Sequence, residues 1–371
     1  MTEVVIDPGS FSIKAGLSAA DSPSVSYRSL VGQTRNKDNL SEYSTGQLAI
    51  DSCAKSNGKV RLRAPIEEGY IDNFDLFERV IDDIYQSELS LDPEEHPVVM
   101  AEPHFNPPKV RSKTLEMFFE HLKVPEMNLT PQGVLSLIGT GRITGLVVDC
   151  GHAASTTIPI FESYVVPHSI NRIKLGGTHV DSALAKLLSL NGIAKLTKTR
   201  DRETLRQLKE SSLVCRSSAE DPNPAIPNTP FKLPDGATIV TLGSEVWKAP
   251  EVLFQPQLLS LESRGISVTV FDSVKSSPID LTKPFLSNIV ICGGTSQLKG
   301  FERRLTSDVK NIVAAKVARD VRIASVPEPS HSAWVGGKVF AGLKDGFQER
   351  WISRTEFFEH GPDRFLNSNV N

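Results

Sequence analysis

The chain is poor in the features that mark several protein classes. Its 371 residues include only four cysteines, Cys53, Cys150, Cys215 and Cys292, with no CxxC pair among them. So few, and so widely spaced, they fit neither a disulfide framework nor a zinc site, and reduced cytosolic or nuclear thiols are expected. No charge sign dominates. Lys and Arg number 41 against 44 Asp and Glu, a net charge of −3 with His neutral. That balance gives no basic footprint for nucleic acid. No apolar run approaches the roughly 18–20 residues of a membrane span. The opening MTEVVIDPGS lacks the basic n-region of a signal peptide. Hydrophobic residues still make up 39% of the chain, too many for a disordered protein. At this length a single core stops growing, so two lobes are expected.

What is present alternates between strand-like and helix-like patterns, which places the chain in the α/β class. Residues 4–7 are apolar and β-branched and run into Pro8-Gly9-Ser10, a buried strand meeting a tight turn, with 12–17 as the returning strand. Strands are also expected at 97–101, 145–150, 157–161, 288–292 and 321–326. Helical spacing marks 75–85, 110–122, 132–138, 178–190, 202–214, a stretch from about 301, and 331–343. Residues 33–46 are polar and read as a mobile surface loop. Residues 221–234 carry five prolines and are expected to hold no regular structure. Pro234-Asp235-Gly236 then marks a hairpin into 237–242.

One local pattern occurs twice. VVIDPGSFSIKAGL at 4–17 and LVVDCGHAASTTIP at 146–159 share an apolar strand, an Asp, any residue, a Gly, a small turn and a second strand, 142 positions apart. Glycine hairpins of this kind let backbone N–H groups approach a phosphate. Asp7 and Asp149, at the strand ends, suit a divalent cation held largely through water. Cys292-Gly293-Gly294-Thr295 adds a third glycine turn after an apolar strand. A single Asp-x-Gly is usually only a turn. Two copies plus Gly-Gly-Thr favour a two-lobed nucleotide clamp.

On these residues the chain resembles actin and the actin-related proteins. The likeness also runs through PSVSYRSLVG, RAPIEEGYIDNFD, LDPEEHPVVMAEPHFNP, QGVLSLIGTGRITGLVVDCG, LPDGATIVTLG, APEVLFQPQLL, IVICGGTSQLKGF and HSAWVGGKVFAGL. It implies the two-lobed ATPase fold that actin shares with Hsp70 chaperones and sugar kinases. In that fold duplicated subdomains surround a cleft holding ATP or ADP with Mg²⁺ or Ca²⁺. Lobe one would take 1–139 and 332–371, and lobe two 140–331. Residue by residue, the resemblance implies that Gly9, Ser10, Phe11 and Lys14 form the first phosphate loop. Gly151, His152, Ala153 and Ser155 would form the second, with Asp7 and Asp149 near the metal. Gln132 and Thr156, with Asp149, occupy the hydrolytic positions. Gly177, Arg206, Lys209, Glu210, Gly293, Gly294, Thr295, Gln297 and Ser330 surround the nucleoside.

The departures bear on chemistry and assembly. His152 stands at an acidic position of the family, and Thr156 replaces the histidine that helps the attacking water. Phe11 replaces a glycine, where a bulky residue resists positive φ; Pro8 replaces an Asn, Ser330 a Lys, and Glu68 the histidine often methylated. Slow hydrolysis is therefore expected. The apolar plug of the family is matched by Leu258, Leu259 and Leu261, an interaction site if exposed and core if not. The polar 33–46 segment is one residue shorter than the family's contact loop. In the receiving groove Tyr164 and Leu343 fit the family, whereas Ile138, Ile143, Phe340 and Arg350 differ. Three functions follow: a filament-forming ATPase, a subunit of a larger actin-related assembly (dynactin-like, a nucleator or a chromatin remodeller), and, least favoured, a sugar kinase. The implied partners are further copies of the chain, an actin-related assembly or actin-binding proteins, with neither nucleic acid nor membrane. The implied location is the cytoplasm and cytoskeleton, with the nucleus as the alternative compartment.

Overall fold

The computed structural model describes residues 2–35, 41–56, 59–193, 196, 201–221, 230–232, 239–346 and 348–366. It comprises two compact units. One contains Met1–Ile143, Glu162–Val165 and His331–Asn371; the other contains Thr144–Phe161 and Val166–Ser330.

The first unit is built on a six-stranded sheet. Its order is Ile352–Ser353, Glu126–Pro131, Val98–Glu102, Val4–Pro8, Ser12–Leu17, Val25–Arg28. Val4–Pro8 and Glu126–Pro131 both run parallel to Val98–Glu102. Val4–Pro8 and Val98–Glu102 are buried along their whole length, which is why they read as unbroken apolar runs rather than alternations. Two helices on this unit, Gln132–Ile138 and Ser332–Ala341, meet through glycine. A Cβ on Gly336 would collide with the Leu135 carbonyl, and one on Gly139 would come within 3.0 Å of the Gly336 nitrogen. The fully buried Trp334 donates from its indole nitrogen to the Val5 carbonyl at 3.1 Å, so the helix that begins at Gln132 is locked to the central strands.

The second unit has the strand path Ser155–Phe161, Gly145–Cys150, Ile289–Cys292, Ile323–Ser325, with Asn171–Ile173 beside Ser155–Phe161. Gly145–Cys150 and Ile289–Cys292 are parallel, in the register Asp149↔Cys292. Cys150, Cys215 and Cys292 are buried free thiols, and Cys53 is part-exposed. Burial pushes Cys150 up, and pushes Cys215 up to about 12.

Several expectations need correction. The 33–46 segment is not a loop at its ends. Val31–Arg35 and Ser41–Thr45 pair antiparallel, and Arg61–Arg63 extends them into a three-stranded sheet. Its strands are polar because most of their side chains are part-exposed or exposed, so the apolar alternation that signals a strand is missing. Residues 36–40, with Leu40, lie outside the described set. The proline-rich stretch does carry a strand, Pro230–Lys232, antiparallel to Ile239–Thr241; residues 222–229 and the 234–236 turn lie outside the described set. The 75–85 and 110–122 helices pass into π-helical turns at Ile84–Leu89 and Met117–His121. Phe340, expected in a surface groove, is 2% exposed and belongs to the core with Trp334 and Trp351.

A buried ionic cluster sets the start of the loop carrying Leu258. Arg304, on the helix Phe301–Ile312, donates twice to Glu251, at 2.8 and 2.7 Å; Arg216 adds a bond at 3.0 Å. Burial alone would raise the Glu251 carboxyl. The bonds from Arg304 and Arg216 outweigh that and hold it below the usual carboxylate range. A carboxyl lowered by folding adds stability that is present above its unfolded pKa and is lost as pH falls through its folded one. Glu251→Gln should therefore lower unfolding free energy at neutral pH by about 1.5–3 kcal/mol, since Arg304 and Arg216 lose their charge-assisted bonds to it while Arg304 keeps Asp308. It should also flatten the fall in stability below the carboxylate range; urea unfolding across that range measures both.

Candidate functional site

The two Asp-x-Gly segments fold alike, each within its own unit. In the first, the Gly9 N–H donates to the Ser12 carbonyl at 3.2 Å, closing a turn between antiparallel strands in the register Asp7↔Lys14. In the second, the Gly151 N–H donates to the Ala154 carbonyl at 3.0 Å, in the register Asp149↔Thr156. A Cβ at Gly9 would lie 2.8 Å from the Ser12 oxygen, and one at Gly151 would lie 3.1 Å from the Ala154 oxygen. Thr156 therefore occupies the position in its hairpin that Lys14 holds in the other.

Around the first hairpin the expected residues converge. Asp7 is buried and accepts from Gln132 Nε2 at 3.0 Å; the same amide nitrogen reaches the Pro8 carbonyl at 3.4 Å. Lys14 Nζ lies 3.9 Å from Asp7 Oδ2 and 3.3 Å from the Ser12 carbonyl. Ser10 Oγ accepts from the Gly69 N–H at 2.7 Å. Gly69 and Glu68 both have positive φ, +88° and +50°, in the two-residue turn between Ile66–Glu67 and Tyr70–Ile71. That is the type I′ pattern, in which a glycine is favoured. Phe11 does not have positive φ, so the strain expected from a bulky residue in this turn does not arise.

Around the second hairpin, backbone carbonyls are the anchors. The Gly151 carbonyl accepts from the Gly177 N–H at 3.1 Å and from Thr295 Oγ1 at 2.8 Å; the His152 carbonyl accepts from the Thr178 N–H at 2.9 Å and from Thr178 Oγ1 at 3.2 Å. Two Gly-Gly-Thr turns, 176–178 and 293–295, thus send their threonines to consecutive carbonyls of one hairpin. Gly293 has φ +84°, and a Cβ there would fall 2.5 Å from Asp149 Oδ1 and closer still to the Cys150 carbonyl. A Cβ on Gly176 would lie 2.6 Å from the Gly151 oxygen, and one on Gly177 would crowd Thr295 Oγ1 at 3.0 Å and Lys209 Nζ at 3.3 Å. Gly176 and Thr178 escaped the sequence reading. The repetition of Gly-Gly-Thr was the signal that could have found them.

The remaining expected residues of this unit spread out. Lys209 is buried and donates to Asp181 at 3.0 Å and to the Gly177 carbonyl at 3.4 Å. Burial raises the Asp181 carboxyl despite that lysine. Arg206 and Glu210, one turn apart, bond each other at 2.8 Å. Ser155 turns its hydroxyl to the Leu175 carbonyl at 2.6 Å. Ala153 lies in the hairpin turn. Gln297 is exposed and reaches Glu328 at 3.5 Å. Ser330 stands 4.0 Å from where a Gly294 Cβ would be. Of the three leucines, Leu258 is 53% exposed, while Leu259 and Leu261 pack against the core of the unit.

A family model described as Actin matches residues 1–367, and so includes both hairpins, the two Gly-Gly-Thr turns and Gln132. The chain belongs to the actin family. It is also similar to a protein of Neurospora crassa described as "Actin-like protein", with 35% identity over 373 residues covering 97% of this chain and 96% of that one. As an actin-family fold it is mixed α/β. No helix among the described residues is long and apolar enough to cross a membrane.

The packing around Gly293 can be measured directly. Gly141 has φ +72° and open space around it, so Gly141→Ala should cost about 1–2 kcal/mol from backbone conformation alone. Gly293→Ala should cost distinctly more, because the new methyl meets Asp149 and the Cys150 carbonyl as well. Equal losses in urea unfolding would mean that the turn is not packed against the hairpin.

Proposed function

We propose that this actin-family chain binds ATP or ADP with Mg²⁺ (or Ca²⁺), hydrolyses ATP slowly and assembles with further copies of itself into cytoskeletal filaments. The observation that carries the reading is the pair of glycine hairpins in equal register, each with an aspartate at the strand end and backbone that crowds a Cβ at the glycine. The residues fit such a ligand. Ser10, Phe11 and Lys14 offer amides, a hydroxyl and a cation to phosphate oxygens, the Gly9 amide being spent on closing the turn. His152 and Ala153 would offer a second set of amides, and Gly177, Gly293 and Gly294 would present bare backbone to a nucleoside. The strand-end aspartate of each hairpin, Asp7 in one unit and Asp149 in the other, has the chemistry to hold a cation through water; when bound, the cation neutralises charge on the terminal phosphates.

Hydrolysis is a matter of placing water. The Gln132 amide nitrogen is committed to Asp7 and Pro8. Its carbonyl oxygen is therefore the end that can accept from an attacking water. Thr156, opposite Asp149, has a hydroxyl and no basic nitrogen, so it cannot take up a proton near neutral pH. Thr156→His should therefore raise the phosphate-release rate, by about ten-fold or more if the imidazole acts as a general base, with little change in ATP affinity.

The exposed Leu258, on a loop anchored by Leu259 and Leu261, supports a contact with another subunit. The polar 33–46 segment favours a second reading, a subunit of a larger actin-related assembly that does not elongate by itself. Sedimentation of the purified chain in Mg-ATP and salt, with phosphate release followed in parallel, separates them. Pelleting polymer with phosphate release is the expected result. A chain that keeps ATP and stays in the supernatant would favour the second reading.

A further inference from the structure

The two hairpins share a register but are held in different ways. Carbonyls of Gly151 and His152 anchor the second. In the first, side chains do much of the holding, through Ser10 on Gly69, Gln132 on Pro8 and Phe11 on Arg28. The Arg28 guanidinium carbon lies 3.9 Å from the centroid of the Phe11 ring. The Phe11 carbonyl also accepts from the Ser29 N–H at 3.1 Å. Phe11 is thus gripped by adjacent residues at its ring and at its backbone.

The ring is not needed to close the turn. Its counterpart in the second hairpin, at the same place after Asp-x-Gly, is Ala153, and that hairpin closes through the equivalent Gly N–H bond with a methyl there. Nor does the ring strain the turn, since Phe11 lacks positive φ. Arg28 is well placed as an anchor. It ends the strand Val25–Arg28, sits opposite Ser12 in the sheet, and its backbone carbonyl accepts from the Leu30 N–H at 2.8 Å. Both partners are partly buried, where a guanidinium stacked on an aromatic face attracts more strongly than at an exposed site.

We propose that Arg28 is a positioning residue of the nucleotide site, acting through Phe11 to fix the backbone amides of Ser10 and Phe11 for phosphate. The inference rests on the reading that this hairpin binds ATP. Amides held in place before binding lose less entropy when the phosphate arrives. Releasing the clasp should thus speed nucleotide loss and leave the fold intact.

The test uses the full chain loaded with a fluorescent ATP analogue and chased with excess ATP. Arg28→Gln and Phe11→Ala should each speed dissociation by about ten-fold, the effect of losing one partly buried stack. The double variant should be no faster than either single one. Phe11→Tyr, which keeps the π face, should restore the wild-type rate, and Phe11→Leu, which keeps only apolar bulk, should not. Additive effects, or wild-type behaviour of Phe11→Leu, would overturn the inference. If Phe11→Ala fails to fold, the comparison of Tyr with Leu at position 11 decides. Retention of the analogue at equal rates in all variants removes the role of Arg28 alone; no retention by the wild-type chain removes the ATP reading and this inference with it.

Discussion

In each unit a glycine amide bonds back to the carbonyl three residues on, so close that a methyl group would touch that carbonyl. Most of the site follows from this constraint. The turn brings a strand-end aspartate beside the residue opposite it, and it leaves peptide N–H groups at the tip. In the first unit the opposite residue is Lys14, beside Asp7; in the second it is Thr156, beside Asp149. Two hairpins of the same register and the same closing bond thus carry a cation in one copy and a hydroxyl in the other.

The surroundings of each hairpin are organised to keep it still. The first rests on fully buried strands, and the helix beginning at Gln132 is pressed against Ser332–Ala341 by Gly336 and tied to Val5 through Trp334. The second is fastened by Gly-Gly-Thr turns whose threonines reach consecutive carbonyls. Farther out, the Arg216–Glu251–Arg304 cluster anchors the chain just before Phe254 to Leu261, where Leu258 is exposed and Leu259 and Leu261 are partly buried against the core. Rigid placement of polar groups in the free protein is the property that phosphoryl chemistry exploits.

Much of this was legible in the sequence. The strands at 12–17 and 145–150 and the helix at 132–138 lie where their apolar patterns put them, because buried elements advertise themselves through hydrophobic spacing. The expected first-hairpin residues Asp7, Gly9, Ser10, Lys14 and Gln132 do come together. What was not legible lacks a local signal. The polar strands flanking 36–40 have no apolar alternation. Gly336 in a helix reads only as poor propensity, although its role is close approach to Leu135. Phe11 and Arg28 are far apart along the chain and become partners only through the sheet. The expected strain at Phe11 was wrong because the turn uses φ values open to any residue.

The most direct measurement is the nucleotide content of the purified chain after gel filtration in Mg-ATP. The account predicts one adenine nucleotide per chain, released when the divalent cation is chelated. A folded chain that elutes with no nucleotide, or whose nucleotide is indifferent to chelation, would contradict it.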